Sequence, residues 1–274
     1  KGDLSRRVVI YNLPCLSFRE YLNFKYGKKL ETHSFNNIIK KHISICSNIN
    51  NKIPRVLRKF SDYLQFGSYP FFHNHSTEEY FGLFNNVLDK VIYEDIPAVS
   101  NIKSSSSMKL KKLLGFIASS TVPVFNIETL TRDIEVSKDT LYDFFDLLNR
   151  AEILQVVRTE SKNVKIMKKS KILFKSPNVY FIIANELWKH DPEKGNIRES
   201  FFAGSIPGKY KLYTSDHVDF KVIDERDVTY EIEVGGKNKG KKQINKVENA
   251  FIFKDNIEIG SGNEIPLYAS GFLY

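Results

Sequence analysis

The chain has 274 residues, with 41 Lys and Arg against 32 Asp and Glu, for a formal net charge of +9. Apolar residues make up 42% and charged residues 27%, which is the composition of an ordinary globular protein long enough for two or three small cores. No run approaches the roughly 18 apolar residues of a membrane span, no signal peptide opens the sequence, and two cysteines are too few for a disulfide framework, so a soluble protein of the reducing cytoplasm is expected.

Residues 7–24 read as a strand (Val8-Val9-Ile10-Tyr11), a Pro-bearing turn and a helix. Ser17 and Glu20 have the spacing of a capping box. A strand so near the first residue, with Lys1 in place of Met, is expected to continue a domain that begins upstream. Residues 31–50 are polar and weakly helical. Residues 54–66 are amphipathic, with Val56, Leu57, Phe60, Tyr63 and Leu64 at helical spacing, and Gly67-Ser68-Tyr69-Pro70 breaks that helix. Residues 77–95 predict another helix, closed by Ile96-Pro97. Residues 100–107, SNIKSSSS, are the most linker-like stretch.

From 108 to 155 the pattern is helical. Asn126 can cap a short helix running to Arg132, and Ser137 can cap a longer one, Lys138–Arg150. A strand over Ile153–Arg158 and a turn and strand within Lys162–Phe174 follow. The order helix, helix, turn, helix, strand, strand is that of a winged helix-turn-helix, whose second turn helix enters the major groove. That helix would expose Lys138 and Tyr142, but also Asp139, Asp143 and Asp146. The wing is better suited to DNA: seven basic residues and one acid, Glu160, fall between Arg158 and Lys175, among them Lys162, Lys165, Lys168, Lys169 and Lys171. Winged helices also serve purely as packing modules.

Residues 177–200 predict a short strand or loop, a helix around Phe181–Trp188 and the start of another near Glu199. Strands dominate from Tyr210. Residues 241–250 look helical, and Phe251–Lys254 and Pro266–Ala269 read as strands.

The stretch Val218–Lys237 carries the most chemistry. Two short strands joined by a polar turn would set Asp219 beside Glu233. A restriction-endonuclease-type nuclease uses such a pair to hold Mg²⁺, with the lysine of Glu-x-Lys supporting the attacking water or the transition-state charge. Here Gly235 stands at the lysine position and the next lysine is Lys237. The candidate centre is therefore Glu199, Asp219, Glu233 and Lys237, supported by Gln243, with Asp219 and Glu233 as metal ligands, and it is degenerate. Lys237, Lys239, Lys241, Lys242 and Lys246 form a cluster suited to phosphate, although a solvated face would look the same. His73, His75 and Cys46 lack metal-site spacing, and the chain has no phosphate loop of the G-x-x-x-x-G-K-[ST] kind.

Together these segments resemble the C-terminal two-thirds of a bacterial and archaeal AAA+ ATPase family. The resemblance rests on Leu4-Ser5-Arg6-Arg7 with Leu13–Leu22, on Tyr63-Leu64 through Pro70, on Tyr93-Glu94-Asp95-Ile96-Pro97, on Val136-Ser137 with Thr140 through Leu154, and on Val218-Asp219-Phe220 with Ile232-Glu233-Val234. It implies an α+β multidomain chain: the end of an ATPase core over 1–24, a helical lid-like region over 25–100, a winged helix over 101–176 and a restriction-endonuclease-like α/β domain over 177–274. It also implies that Arg7 senses nucleotide and that ATP-Mg²⁺ binds an N-terminal P-loop domain outside this sequence. The expected function is a non-catalytic region that engages DNA or a partner while that domain hydrolyses ATP. The alternatives are a metal-dependent nuclease and a protein-interaction module.

Overall fold

The computed structural model describes residues 13–100, 102, 104–160, 170–187, 191–245 and 247–274. The predicted strand 8–11, Arg7, Trp188, the wing lysines Lys162, Lys165, Lys168 and Lys169, and Lys246 lie outside these residues.

Among the described residues the chain is α+β, with ten α-helices and seven strands in a two-stranded and a five-stranded sheet. None of these helices is long and apolar enough to cross a membrane. Helix α1 (Phe18–Tyr26) starts at a reciprocal capping box: the Glu20 amide donates to Ser17 Oγ at 3.2 Å, and the Ser17 amide donates to Glu20 Oε2 at 2.9 Å. Helix α2 (Phe35–Lys52) is capped by Ser34 and kinked at Lys41. Helix α3 (Val56–Phe66) stops at Gly67, where a Cβ would lie 2.6 Å from the Tyr63 Cα and 2.9 Å from the Tyr21 ring, so only glycine fits the close crossing of α1 and α3.

Helix α4 (Thr77–Lys90) does not end at Ile96-Pro97 as the sequence suggests. It continues through a π-turn over Val91–Asp95 into the short α5 (Ile96–Val99). Pro97 sits at the start of α5, where the π-turn ends. The serine run is not a linker either: α6 (Ser104–Ser119) begins within it. Ser107 is buried together with Leu110, Leu113, Leu114 and Ile117, and this burial outweighs the weak helical preference of serine. Asn126 caps α7 (Ile127–Ile134), Ser137 caps α8 (Lys138–Arg150), and β1 (Leu154–Val157) pairs antiparallel with β2 (Lys171–Phe174).

Helix α9 (Pro177–Leu187) begins where a strand or loop was expected, and α10 (Lys194–Ser205) follows. The large sheet runs in the order β3 (Lys211–Thr214), β4 (Phe220–Ile223), β5 (Thr229–Gly235), β6 (Ala250–Lys254), β7 (Glu264–Pro266). Its first three strands are antiparallel, while the β5–β6 and β6–β7 pairs are parallel. In place of the expected helix over 241–250, residues 241–245 form a turn in which the Ile244 and Asn245 amides reach the Lys241 carbonyl, and Ala250 begins β6. The chain here returns from the end of β5 to the start of its parallel neighbour β6, and Gly240 with the surrounding Lys and Asn gives no capped apolar face to build a helix on. The expected strand Pro266–Ala269 is mostly a buried 3-10 segment, Leu267–Phe272.

One continuous apolar cluster runs from Phe18 to Leu273. Its aromatic centre joins the first and last parts of the chain: the Phe60 ring lies 5.1 Å from Phe18, 4.7 Å from Phe201 and 6.3 Å from Tyr268, centroid to centroid. Edge-on contacts of this kind add to plain area burial. The backbone closes the same joint, with Ser17 Oγ and Arg19 Nε both donating to the Tyr274 carbonyl, at 3.0 and 2.8 Å.

Candidate functional site

The β4–β5 register sets Phe220 opposite Ile232, so one step further Asp219 faces Glu233. The Val234 amide donates to Asp219 Oδ2 at 2.9 Å, which fixes the aspartate against the β5 backbone. Glu199 reaches the same place from the middle of α10. Sequence reasoning named all three carboxylates, and the fold brings them together.

Two lysines close the cluster. Lys171, the first residue of β2, places its ammonium 2.6 Å from Glu199 Oε2 and 2.7 Å from Asp219 Oδ1, with Nζ 4.6 Å from the centre of the Phe220 ring. Lys239, in the loop after β5, pairs with Glu233 Oε1. Glu233 is only 1% exposed, and its second oxygen, Oε2, has no hydrogen-bond partner among the described residues.

The electrostatics follow from burial. Burial pushes the Glu199 carboxyl up to about 7; the nearby Asp219 charge adds to this, and Lys171 opposes it. Burial and then Asp219 likewise raise Glu233, against Lys239. Burial alone would lower Lys171, but the charges of Asp219 and Glu199 more than offset it and hold the ammonium above its ordinary value. Three carboxylates face two ammonium groups, and the raised Glu199 carboxyl is the one that takes up a proton most readily.

The other predicted residues fall elsewhere. Lys237 is exposed and has no ion-pair partner among the described residues; the lysine that reaches Glu233 is Lys239. Gly235 explains the displacement. A Cβ built at Gly235 would lie 2.6 Å from Lys239 Cγ and 2.7 Å from its Cβ, so the Lys239 stem fills the space that a side chain at 235 would take. Lys171, read as a phosphate-binding wing residue, is buried and committed to carboxylates. Gln243 and Lys242 are exposed, and Lys241 lies 3.7 Å from Glu264. Lys138 is exposed at the start of α8, beside the exposed Asp139, Asp143 and Asp146. His73 and His75 are both exposed. The glycine at 235 with lysines just downstream was a sequence signal for Lys239. No local signal marks Lys171, which arrives from a different sheet.

As arranged, most oxygens of the Asp219–Glu233 pair already have partners. Asp219 Oδ1 is taken by Lys171, Oδ2 by the Val234 amide and Glu233 Oε1 by Lys239, leaving Glu233 Oε2 as the one oxygen of this pair without a partner. A dication would also lie against two ammonium groups. Among the described residues no group of three or more His, Cys, Asp or Glu is placed to hold a metal ion.

Comparison with known proteins gives kinship without an activity. A family model described as a domain of unknown function, DUF8612, matches residues 57–182. Uncharacterized protein MJ1637 of Methanocaldococcus jannaschii is 26% identical over 294 aligned positions. That alignment takes in 99% of this chain and 61% of the relative, so the chain spans about three-fifths of the length of the protein it matches. No solved structure matches.

Proposed function

We propose that this chain is the non-catalytic, DNA-binding portion of an AAA+-type ATPase. In this reading residues 101–176 form a winged helix, and residues 177–274 form a restriction-endonuclease-like domain whose carboxylate centre has become a structural ion-pair cluster. ATP-Mg²⁺ would bind a P-loop domain outside this sequence.

The observation that carries the proposal is the capture of Asp219 by Lys171 and of Glu233 by Lys239. Strand adjacency of two acids is what a nuclease needs, but here the oxygens that would hold a cation hold ammonium groups instead. The helix–helix–strand–strand order of α7, α8, β1 and β2 supports the winged-helix reading. The exposed Lys237, Lys241 and Lys242, on a chain of formal charge +9, support phosphate contact. One observation favours a second reading, a protein-binding module: α8, the element that would enter a major groove, presents Asp139, Asp143 and Asp146 to solvent.

Fluorescence anisotropy with a generic duplex tests the proposal. Affinity is expected to fall steeply between about 50 and 200 mM salt, and a Lys237/Lys241/Lys242→Ala variant is expected to bind more weakly with a salt slope shallower by up to about 3. The DNA, recovered after incubation with Mg²⁺, stays intact. No binding at either salt concentration would contradict the DNA reading and favour a protein partner through α8. Cleavage that disappears in Asp219→Ala would contradict the non-catalytic reading.

A further inference from the structure

The positive charge of this chain is concentrated in one segment. Residues 25–59 hold nine of the 41 Lys and Arg but only one of the 32 Asp and Glu, Glu31, so this stretch carries +8 of the net +9 and the rest of the chain is close to neutral. Neither the winged-helix reading nor the carboxylate cluster uses it.

The fold gathers seven of the nine at the ends of three adjoining helices. Lys25 lies in the last turn of α1, and Lys28 and Lys29 in the turn that follows. Lys52 ends α2 and borders the same turn, where it lines a shallow hollow with Leu30 and Glu31. Arg55, Arg58 and Lys59 stand at the start of α3. The half-buried Tyr26 is their common centre. Lys25 Nζ lies 5.9 Å and Lys59 Nζ 4.9 Å from the middle of its ring, and Arg58 is near enough to act on its hydroxyl. The other two, Lys40 and Lys41, lie in the middle of α2.

None of the seven forms an ion pair with a carboxylate among the described residues. Asp62, at the border, attracts Lys25 only from beyond pairing distance. Elsewhere the chain pairs its surface lysines: Lys90 with Glu94, Lys111 with Asp89 and Glu186, and Lys221 with Glu160. Crowded like charges repel one another in the free chain, and a polyanion relieves that repulsion. Two of the ammonium groups are already positioned. Lys25 Nζ donates to the Tyr21 hydroxyl at 3.0 Å and Lys59 Nζ to the Pro54 carbonyl at 2.6 Å, so less side-chain freedom is lost on binding.

We infer that this α1–α3 corner grips the sugar-phosphate backbone of duplex DNA. The inference rests on the DNA-binding reading for its choice of polyanion, and it adds a surface outside the winged helix. Unpaired Lys and Arg supply the sequence-independent phosphate contacts that position a protein on a duplex. A membrane surface is the other polyanion to weigh, but membrane-binding elements set apolar anchors beside their cations. Here Ile53 and Val56, between Lys52 and Arg58, are buried, and the exposed Phe24 ring packs edge-on against Phe72 and His73.

Anisotropy titration of the whole chain with a generic duplex tests this on two variants of equal charge. The first is Lys28→Gln/Lys29→Gln/Arg55→Gln/Arg58→Gln, at exposed positions of the corner. The second is Lys90→Gln/Lys112→Gln/Lys209→Gln/Lys211→Gln, at exposed positions elsewhere. Both should keep the parent's thermal midpoint to within a few degrees. At about 50 mM salt the corner variant is expected to bind at least roughly tenfold more weakly, with a salt slope shallower by up to about 4, while the second variant stays close to the parent. A duplex bound equally by the corner variant and the parent would overturn the inference and leave the DNA reading standing on Lys237, Lys241 and Lys242. Equal losses in both variants would also overturn it, because net charge and not place would then set affinity. No duplex binding by the parent would overturn the inference and the DNA reading together, and binding to vesicles of anionic phospholipid in that case would give the corner to a membrane surface.

Discussion

Lys171→Met is expected to destabilise the chain by about 3–5 kcal/mol, measured by urea denaturation near pH 7, because it leaves the buried Glu199 and Asp219 facing each other without a counter-charge. Methionine keeps most of the stem volume and its packing over Phe220, so the loss reports the ammonium rather than a cavity. The pH dependence identifies the cause. With its pKa at about 7, Glu199 keeps its proton in the folded state over a range where the unfolded chain, near 4.5, has released it. This group's contribution therefore makes stability fall as pH rises from about 4.5 to about 7, by up to about 3 kcal/mol. Removing Lys171 drives the folded carboxyl higher still. Glu199 keeps its proton in both folded proteins towards pH 4.5, so the gap between variant and parent widens as pH rises through about 7, where only the parent's carboxyl ionises, and Glu199→Gln flattens the slope. A gap that does not widen from about pH 4.5 to about pH 8 would place the effect in packing instead of charge.

Asn178→Ala is expected to cost a similar amount, about 3–5 kcal/mol, for a different reason. This side chain is 0% exposed and makes four hydrogen bonds. Its Oδ1 accepts from the Ser68 amide at 2.9 Å and the Tyr80 hydroxyl at 2.7 Å, while Nδ2 donates to the carbonyls of Tyr63 and Leu64 at 2.9 and 2.8 Å. It ties the end of α3, the turn after Gly67 and α4 to α9. Alanine orphans the Ser68 and Tyr80 donors and the Leu64 carbonyl in the interior, each costing about 1 kcal/mol or more, while the Tyr63 carbonyl keeps the Gly67 amide. Asn178→Asp keeps the two acceptor contacts but loses both donations, and it buries a charge; thermal denaturation should show it to be no better than alanine. A loss below about 1 kcal/mol for Asn178→Ala would mean that water or a rearranged neighbour takes over the four bonds.

The parts of this fold legible in the sequence are those fixed within a few residues. Ser17 with Glu20, Asn126 and Ser137 mark helix starts because a cap is a local hydrogen bond. The amphipathic 54–66 and 138–150 declare themselves through their apolar spacing. Asp219 and Glu233 could be set opposite each other because a short polar turn fixes a hairpin's register. What was not legible depends on partners far along the chain. Residues 104–107 are serines that look like a linker until Ser107 is buried against other helices. Residues 241–250 read as a helix in sequence, but without an apolar face to bury, 241–245 form a turn on the way from β5 to β6. The centre shows the same division. Its carboxylates could be read from the β4–β5 segment, whereas Lys171 lies 48 residues before Asp219 and enters from another sheet. A wing lysine and a buried counter-ion have the same letter, and only the fold separates them. Lys239 is intermediate, since the missing side chain at Gly235 and the lysines after it were visible, but which one turns back was not.

In the proposed reading the carboxylate cluster is closed by its own lysines and is not a cation site. The most direct test is a calorimetric titration of the whole chain with Mn²⁺ near pH 7, alongside Asp219→Ala. No saturable binding is expected at concentrations up to about 1 mM in either protein. One equivalent of Mn²⁺ bound by the parent and lost in Asp219→Ala would contradict it, and would restore the nuclease reading with Lys239 as its lysine.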